Sequence, residues 1–166
     1  MTLLIMFIED RTLGLAAIGA IGVMVGSALP WIHVSQPLIG ITTGNGLEDA
    51  GKITVVLGAL ALGLMVAYAR LRARDLALGA GLAGLAATGF AAAFLADLPH
   101  NAARVLARLL SGDQPPIDPG QVAAFPARAG AGLFVVFAGA AVLAAAVVAL
   151  VLRSRTAQES ASSAPD

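Results

Sequence analysis

The stretch AGAGLFVVFAGAAVLAAAVVALVL, Ala129 to Leu152, contains no charged side chain and is followed at once by Arg153. At about 1.5 Å of rise per residue, a helix of this length covers the roughly 30 Å hydrocarbon core of a bilayer. A helix also satisfies its own backbone N–H and C=O groups, as a segment in lipid must. Runs of the same kind occur earlier in the chain, and the sequence predicts four spans at 12–30, 52–70, 75–97 and 129–152. The expected fold is an all-α membrane protein, a four-transmembrane-helix bundle in which residues 1–153 form a single domain and residues 154–166 a mobile polar tail.

Composition agrees with this reading. Of 166 residues, 58% are hydrophobic and only 12% charged, with a mean hydropathy of +0.88; a soluble domain carries about 25% charged residues. A formal net charge of zero gives no basic field for phosphate, so nucleic acid is not expected as a partner. The absence of cysteine excludes disulfides, thiolate metal sites and thiol redox chemistry. The expected partners are membrane lipids, other membrane subunits or a second copy of the chain.

Arginine placement predicts orientation. Arg11, Arg70, Arg72, Arg74, Arg153 and Arg155 flank spans in short segments on one side, whereas Lys52, Arg104, Arg108 and Arg128 are spread over two longer connections on the other. The positive-inside bias puts the first group, and both termini, in the cytoplasm of a multi-pass plasma-membrane protein. Tyr68 and Trp31 then fit the inner and outer aromatic belts. Thr2 to Ile8 reads as an interfacial lead-in, interrupted by Glu9-Asp10-Arg11. A competing reading makes Leu13 to Val25 the apolar core of a signal peptide with Gly26-Ser27-Ala28 as its cleavage site, although the acidic pair is wrong for a basic leader.

Small residues recur at helical spacing within the spans: Gly22 with Gly26, Ala59 with Gly63, Ala80 with Gly84 and Thr88, and Ala141 with Ala145 and Ala149. Such pairs let helix backbones approach closely where lipid supplies no hydrophobic drive. Packing within the chain is the expected use, and an oligomer interface the alternative. No ionisable side chain falls near a predicted midplane, which argues against a proton relay or ion path. His33 and His100 lie beyond the span ends, so they cannot sandwich a haem inside the bundle.

The connection from Trp31 to Gly51 contains Pro37, Gly40, Thr42-Thr43-Gly44-Asn45-Gly46 and Glu48-Asp49 and reads as a turn region. It fails as a calcium loop, because the positions alternating before Gly51 lack oxygen ligands, and Asp49 is expected to cap the second span. In the second connection, Asp97 and Pro99 open a short helix that Ser111-Gly112 ends. Asn101, Arg104 and Arg108 share one of its faces, and Ala102, Val105, Leu106 and Leu109 much of the other. An amphipathic helix in the headgroup region follows, with Arg104 and Arg108 at the interface. Gly112 to Gly120 is an irregular, proline-rich loop.

Trp31, His33, Glu48, Asp49, Asp97 and His100 are the candidate residues for a ligand site on the outer face. Asp97 and His100 are three residues apart and can share a helix face, but ordinary capping accounts for Asp49 and Asp97, so no metal site is assigned. Ser35 beside His33 lacks an orienting acid, and neither a catalytic residue nor a cofactor is assigned.

Trp31, the Gly-rich stretch after it, and Gly46-Leu47-Glu48-Asp49-Ala50-Gly51-Lys52-Ile53-Thr54-Val55-Val56-Leu57-Gly58 entering the second span together resemble small four-span membrane proteins of actinobacteria. Those proteins often carry an acidic-glycine step before an apolar span; here Ala50 separates Asp49 from Gly51. The resemblance implies the same four-span fold and transfers no activity. The function expected from the sequence is that of a structural or accessory subunit of a larger cell-envelope assembly. The alternatives are a lipid- or small-molecule-binding protein with an outer-face site, or a small transporter acting as an oligomer.

Overall fold

A computed structural model describes residues 10–36, 40–45, 50–111 and 127–162. The described chain is mostly helical. In order, the elements are α1 (Arg11–Ala28), β1 (Pro30–Gln36), β2 (Gly40–Asn45), α2 (Ala50–Leu71), α3 (Arg74–Ala96), α4 (Leu98–Ser111), β3 (Ala127–Ala129) and α5 (Ala131–Ser162). The helices α1, α2, α3 and the first part of α5, Ala131–Arg153, are long and apolar enough to cross a membrane.

Several helix ends have a local cause. Asp10 has an extended backbone, and its carboxylate accepts hydrogen bonds from the Thr12 and Leu13 N–H groups at 3.1 and 3.3 Å, which makes it the N-cap of α1. Its negative charge also suits the positive end of the helix dipole. At the end of α2, Arg72 takes a left-handed φ of 53° and donates its N–H to the Tyr68 carbonyl at 2.8 Å. After the extended Ala73, α3 begins, so α2 and α3 form a tight antiparallel hairpin. The last helix runs unbroken to Ser162 where a mobile tail is expected from residue 154; Arg, Ala, Gln and Glu after Leu152 are good helix formers.

The helices pack as a square. The neighbours are α1 with α2, α2 with α3, α3 with α5 and α5 with α1, and the most extensive contact is between the first and last spans. Asp10, Arg72 and Arg153 meet at one end, with Asp10–Arg72 and Asp10–Arg153 ion pairs at 3.6 and 3.8 Å; this is called the turn end below. The opposite, sheet end carries the strands and α4.

The strands correct the all-α expectation. The hairpin of β1 and β2 fills the connection expected to be only turns, and β3 adds antiparallel to β1, giving the order β2-β1-β3. The register pairs His33 with Thr43 and Arg128, and Ile32 with Gly44 and Ala129. A bulge between Pro30 and Ile32 shifts the alternation, so that consecutive Trp31 and Ile32 are both buried, as is Val34. The signal for this strand was Trp31-Ile32-His33-Val34, rich in aromatic and β-branched residues, which the surrounding Gly and Pro obscured.

Alanine makes up much of the interior, beside larger side chains such as Leu13, Met65, Leu133 and Leu143, and many large apolar side chains stand on the exterior. Ala16, Ala20, Ala61, Ala80, Ala87 and Ala91 are buried, whereas Ile18, Val56, Leu82, Leu85, Phe134 and Val148 point outward and are largely exposed. Large apolar side chains exposed on helices long and apolar enough to cross a membrane fit a lipid-facing surface. With its four spans, the fold is that of a multi-pass helical membrane protein.

At four glycines between α1 and α5 there is no room for a Cβ. A Cβ built at Gly19 would meet Leu143 N at 2.6 Å and Gly139 O at 2.7 Å; at Gly26 it would meet Val136 N at 2.6 Å. A Cβ at Gly139 would meet Val23 N at 2.7 Å, and at Gly132 it would meet Gly26 O at 2.6 Å. The obstacles are mostly backbone, so these glycines set the distance between the two helices.

Candidate functional site

The sheet end holds the described candidates. Trp31 is only 1% exposed, donates its indole N–H to the Gly26 carbonyl at 3.0 Å and meets Phe94 edge-on with ring centroids 5.1 Å apart. It closes the end of the bundle instead of standing in an aromatic belt facing lipid. Tyr68, expected in the opposite belt, is also buried, and the Arg72 guanidinium sits 5.9 Å from its ring centroid.

His33 is half-buried on β1. Side chains alternate along a strand, so His33 faces away from Ile32 and Val34, and its directly paired neighbours Thr43 and Arg128 share its face. Thr43 and Arg128 are exposed, and the three form a polar row across the sheet that sequence spacing alone does not bring together. The other face, Ile32 and Val34, joins a core with Val23, Ala102, Ala103 and Ala107.

Asp97 and His100 are both exposed at the junction of α3 and α4. The Asp97 carbonyl accepts the Asn101 N–H at 3.0 Å, the first helical bond of α4, and Pro99 lies in the first turn as expected. Asn101, expected on a solvent face, donates its side-chain amide to the Phe94 carbonyl at 3.1 Å and fastens α4 back onto α3. Arg104 is exposed; the Arg108 side chain, and all of Glu48 and Asp49, lie outside the described residues. Among the described residues no three His, Asp or Glu side chains are grouped to hold a metal.

A buried polar contact joins α1 and α2 below this end. Ser27 Oγ and Thr54 Oγ1, both fully buried, lie 2.6 Å apart; Ser27 Oγ is 2.7 Å from the Val23 carbonyl and Thr54 Oγ1 is 3.0 Å from that of Gly51. Two hydroxyl protons serve three contacts, so one backbone bond must yield whenever the side chains bond to each other. Neither residue stands out in the sequence, since Ser and Thr are common in spans.

The small-residue pairs divide by location. Gly22, Gly26, Ala80 and Gly84 face the interior: Gly22 is 3.2 Å from the Gly139 Cα by a built Cβ, and Gly84 is 2.8 Å from Leu143 Cδ2. Ala59, Gly63, Ala141 and Ala145 are exposed on the outer surface, and a Cβ at Gly63 would meet nothing within 4 Å. Comparison with protein families, curated proteins and solved structures gives no significant match for this chain.

Proposed function

We propose that the chain is a structural or accessory component of a cell-envelope membrane assembly and works by packing its lipid-facing surface against another membrane protein. One observation carries this reading: Ala59 with Gly63 on α2, and Ala141 with Ala145 on α5, face outward among large apolar residues and are not covered by the chain's own helices. Small residues at four-residue spacing let a second helix approach closely. The arginine bias supports an orientation with the turn end in the cytoplasm and the sheet end outside, in the plasma membrane. The resemblance of residues 31–58 is to actinobacterial proteins. In this setting α4 lies at the outer headgroup level, held on its buried side by Ala102, Ala103 and Ala107.

The test replaces Gly63 and Ala141 by Leu and identifies membrane neighbours by crosslinking in native membranes. The reading expects both variants to fold and to lose the crosslinked neighbour. It is overturned if neighbours are unchanged while His33→Ala with His100→Ala removes a co-purifying lipid or an activity, which would favour a ligand site built on the Thr43–His33–Arg128 row. Reporters after Arg155 and within 70–75 should be cytoplasmic and one within 113–120 external; opposite labelling refutes the orientation.

A further inference from the structure

A groove of about 300 Å³ runs along the outer surface between α3 and α5, with Leu78, Leu82 and Leu85 on one wall, Val148 on the other, and Gly81 and Ala144 in its floor. A second hollow of about 200 Å³ shares Leu78 and Val148 and continues toward Val151 and Leu152, at the turn end. Gly81 helps to create the depression, because any side chain there would press on Val147, whose Cγ1 lies 3.1 Å from a built Cβ.

Arg74 stands on the same helical stripe as Leu78, Leu82 and Leu85, one turn beyond the groove. Its Nε is buried without a hydrogen-bond partner among the described residues. It also sits in the first turn of α3, whose preceding residue Ala73 provides no side-chain cap. A cation at that end of a helix is unfavourable by itself. Asp75 is the acidic group of this turn, but it is exposed and about 100° further round the helix.

We propose that this groove holds one acyl chain of an anionic phospholipid, with the lipid phosphate at Arg74. The inference rests on the reading of α3 and α5 as membrane spans. Charge selects the occupant. Two copies of the chain meeting across this groove in the same orientation would set Arg74 against Arg74, a like-charge contact, whereas a phosphate at that level supplies the opposite charge to the guanidinium. From Leu78 to Leu85 the groove rises about 10 Å, within the half-bilayer depth of about 15 Å that one acyl chain occupies.

The experiment is native mass spectrometry of the full chain in mild detergent with added phosphatidylglycerol or phosphatidylcholine of identical acyl chains. One phosphatidylglycerol is expected to remain bound per chain, favoured roughly fivefold over phosphatidylcholine, the effect of about one arginine near an anionic headgroup. Arg74→Gln should abolish that preference. Ala144→Leu, which fills the floor, should weaken retention of both lipids, and Val56→Leu on the outer face of α2 should change neither. Equal retention of the two lipids by the native chain, or a preference surviving Arg74→Gln, overturns the proposal. So does a dimer that Ala144→Leu dissociates without loss of lipid, which would make a second copy the occupant. Release of the chain from membranes by alkaline carbonate would refute the spans themselves, an outcome distinct from membrane retention without lipid preference.

Discussion

Replacing Gly139 by Ala should be among the most damaging single-methyl additions to the spans, together with Gly19 and Gly132. The new Cβ would lie 2.7 Å from Val23 N, 2.8 Å from Gly19 O and 2.9 Å from the Gly22 carbonyl carbon. Carbon atoms normally make contact at about 3.5–4.0 Å, so α1 and α5 must part by most of an ångström, and no rotamer change can relieve backbone. Overpacking of this kind costs about 3 kcal/mol, the upper end of its range. The better helix propensity of Ala returns up to about 1 kcal/mol, leaving a net loss near 2 kcal/mol. Gly63→Ala receives the same propensity gain and meets nothing within 4 Å, so it should be neutral or stabilising. Gly22, whose nearest contact is 3.2 Å, should fall between the two. Unfolding in mixed micelles of increasing SDS content, followed by circular dichroism, gives the order directly. If Gly139→Ala and Gly63→Ala unfold together, the close approach of α1 and α5 is wrong.

Other perturbations test separate contacts. Arg72→Gly removes the left-handed strain, about 1 kcal/mol, together with exposed ion pairing worth no more than about 1 kcal/mol, and should leave stability nearly unchanged; Arg72→Ala keeps the strain, loses the pairing and should unfold earlier in the same SDS series. Asp10→Asn preserves a capping oxygen and should cost less than Asp10→Ala, which loses about 1 kcal/mol of cap; equal losses would show that the charge, not the cap, matters. A double-mutant cycle on Ser27→Ala and Thr54→Val should give a coupling of about 0.6 kcal/mol, the average for hydrogen bonds between spans, and no coupling would mean that each hydroxyl bonds only to its own helix. Trp31 is the sole tryptophan and is buried, so its fluorescence should be blue-shifted and resist aqueous quenchers; ready quenching would contradict the closed sheet end.

The spans were legible because a long charge-free run has few uses other than crossing a membrane, and the helices lie where those runs do. The partners of the spans were not. In Ala-rich helices nearly every face contains small residues four apart, so spacing could not distinguish Gly26, pressed against Val136, from Ala141, which faces outward. Gly132 and Gly139 are seven apart and escaped a search for four-residue pairs, yet they are what α1 packs against. Asp10 was read as part of an interruption before the first span, although an Asp immediately preceding an apolar run is also a helix start. The sheet was missed for a different reason: β1 gains its meaning from β3, which lies far along the chain, and from a bulge that no local pattern announces.

The same physical demand explains both ends of the bundle. A helix leaves its last four carbonyls without partners, and where other elements cover the helix end those partners must come from the protein. In α1 the Gly26 carbonyl accepts from the Trp31 indole; in α3 the Phe94 carbonyl accepts from the Asn101 amide; in α2 the Tyr68 carbonyl accepts from the Arg72 N–H. Each donor comes from the few residues that follow its own helix, and each draws the next element over the helix end: the sheet over α1, α4 over α3, and the hairpin turn over α2. The sheet and α4 are therefore continuations of the capping problem at the ends of the spans, which is why they share one core with Val23, Ala87, Ala91 and Val136. The glycines along α1 and α5 bring the two helices into backbone contact, and that close approach leaves the large apolar side chains on the outer faces of the bundle.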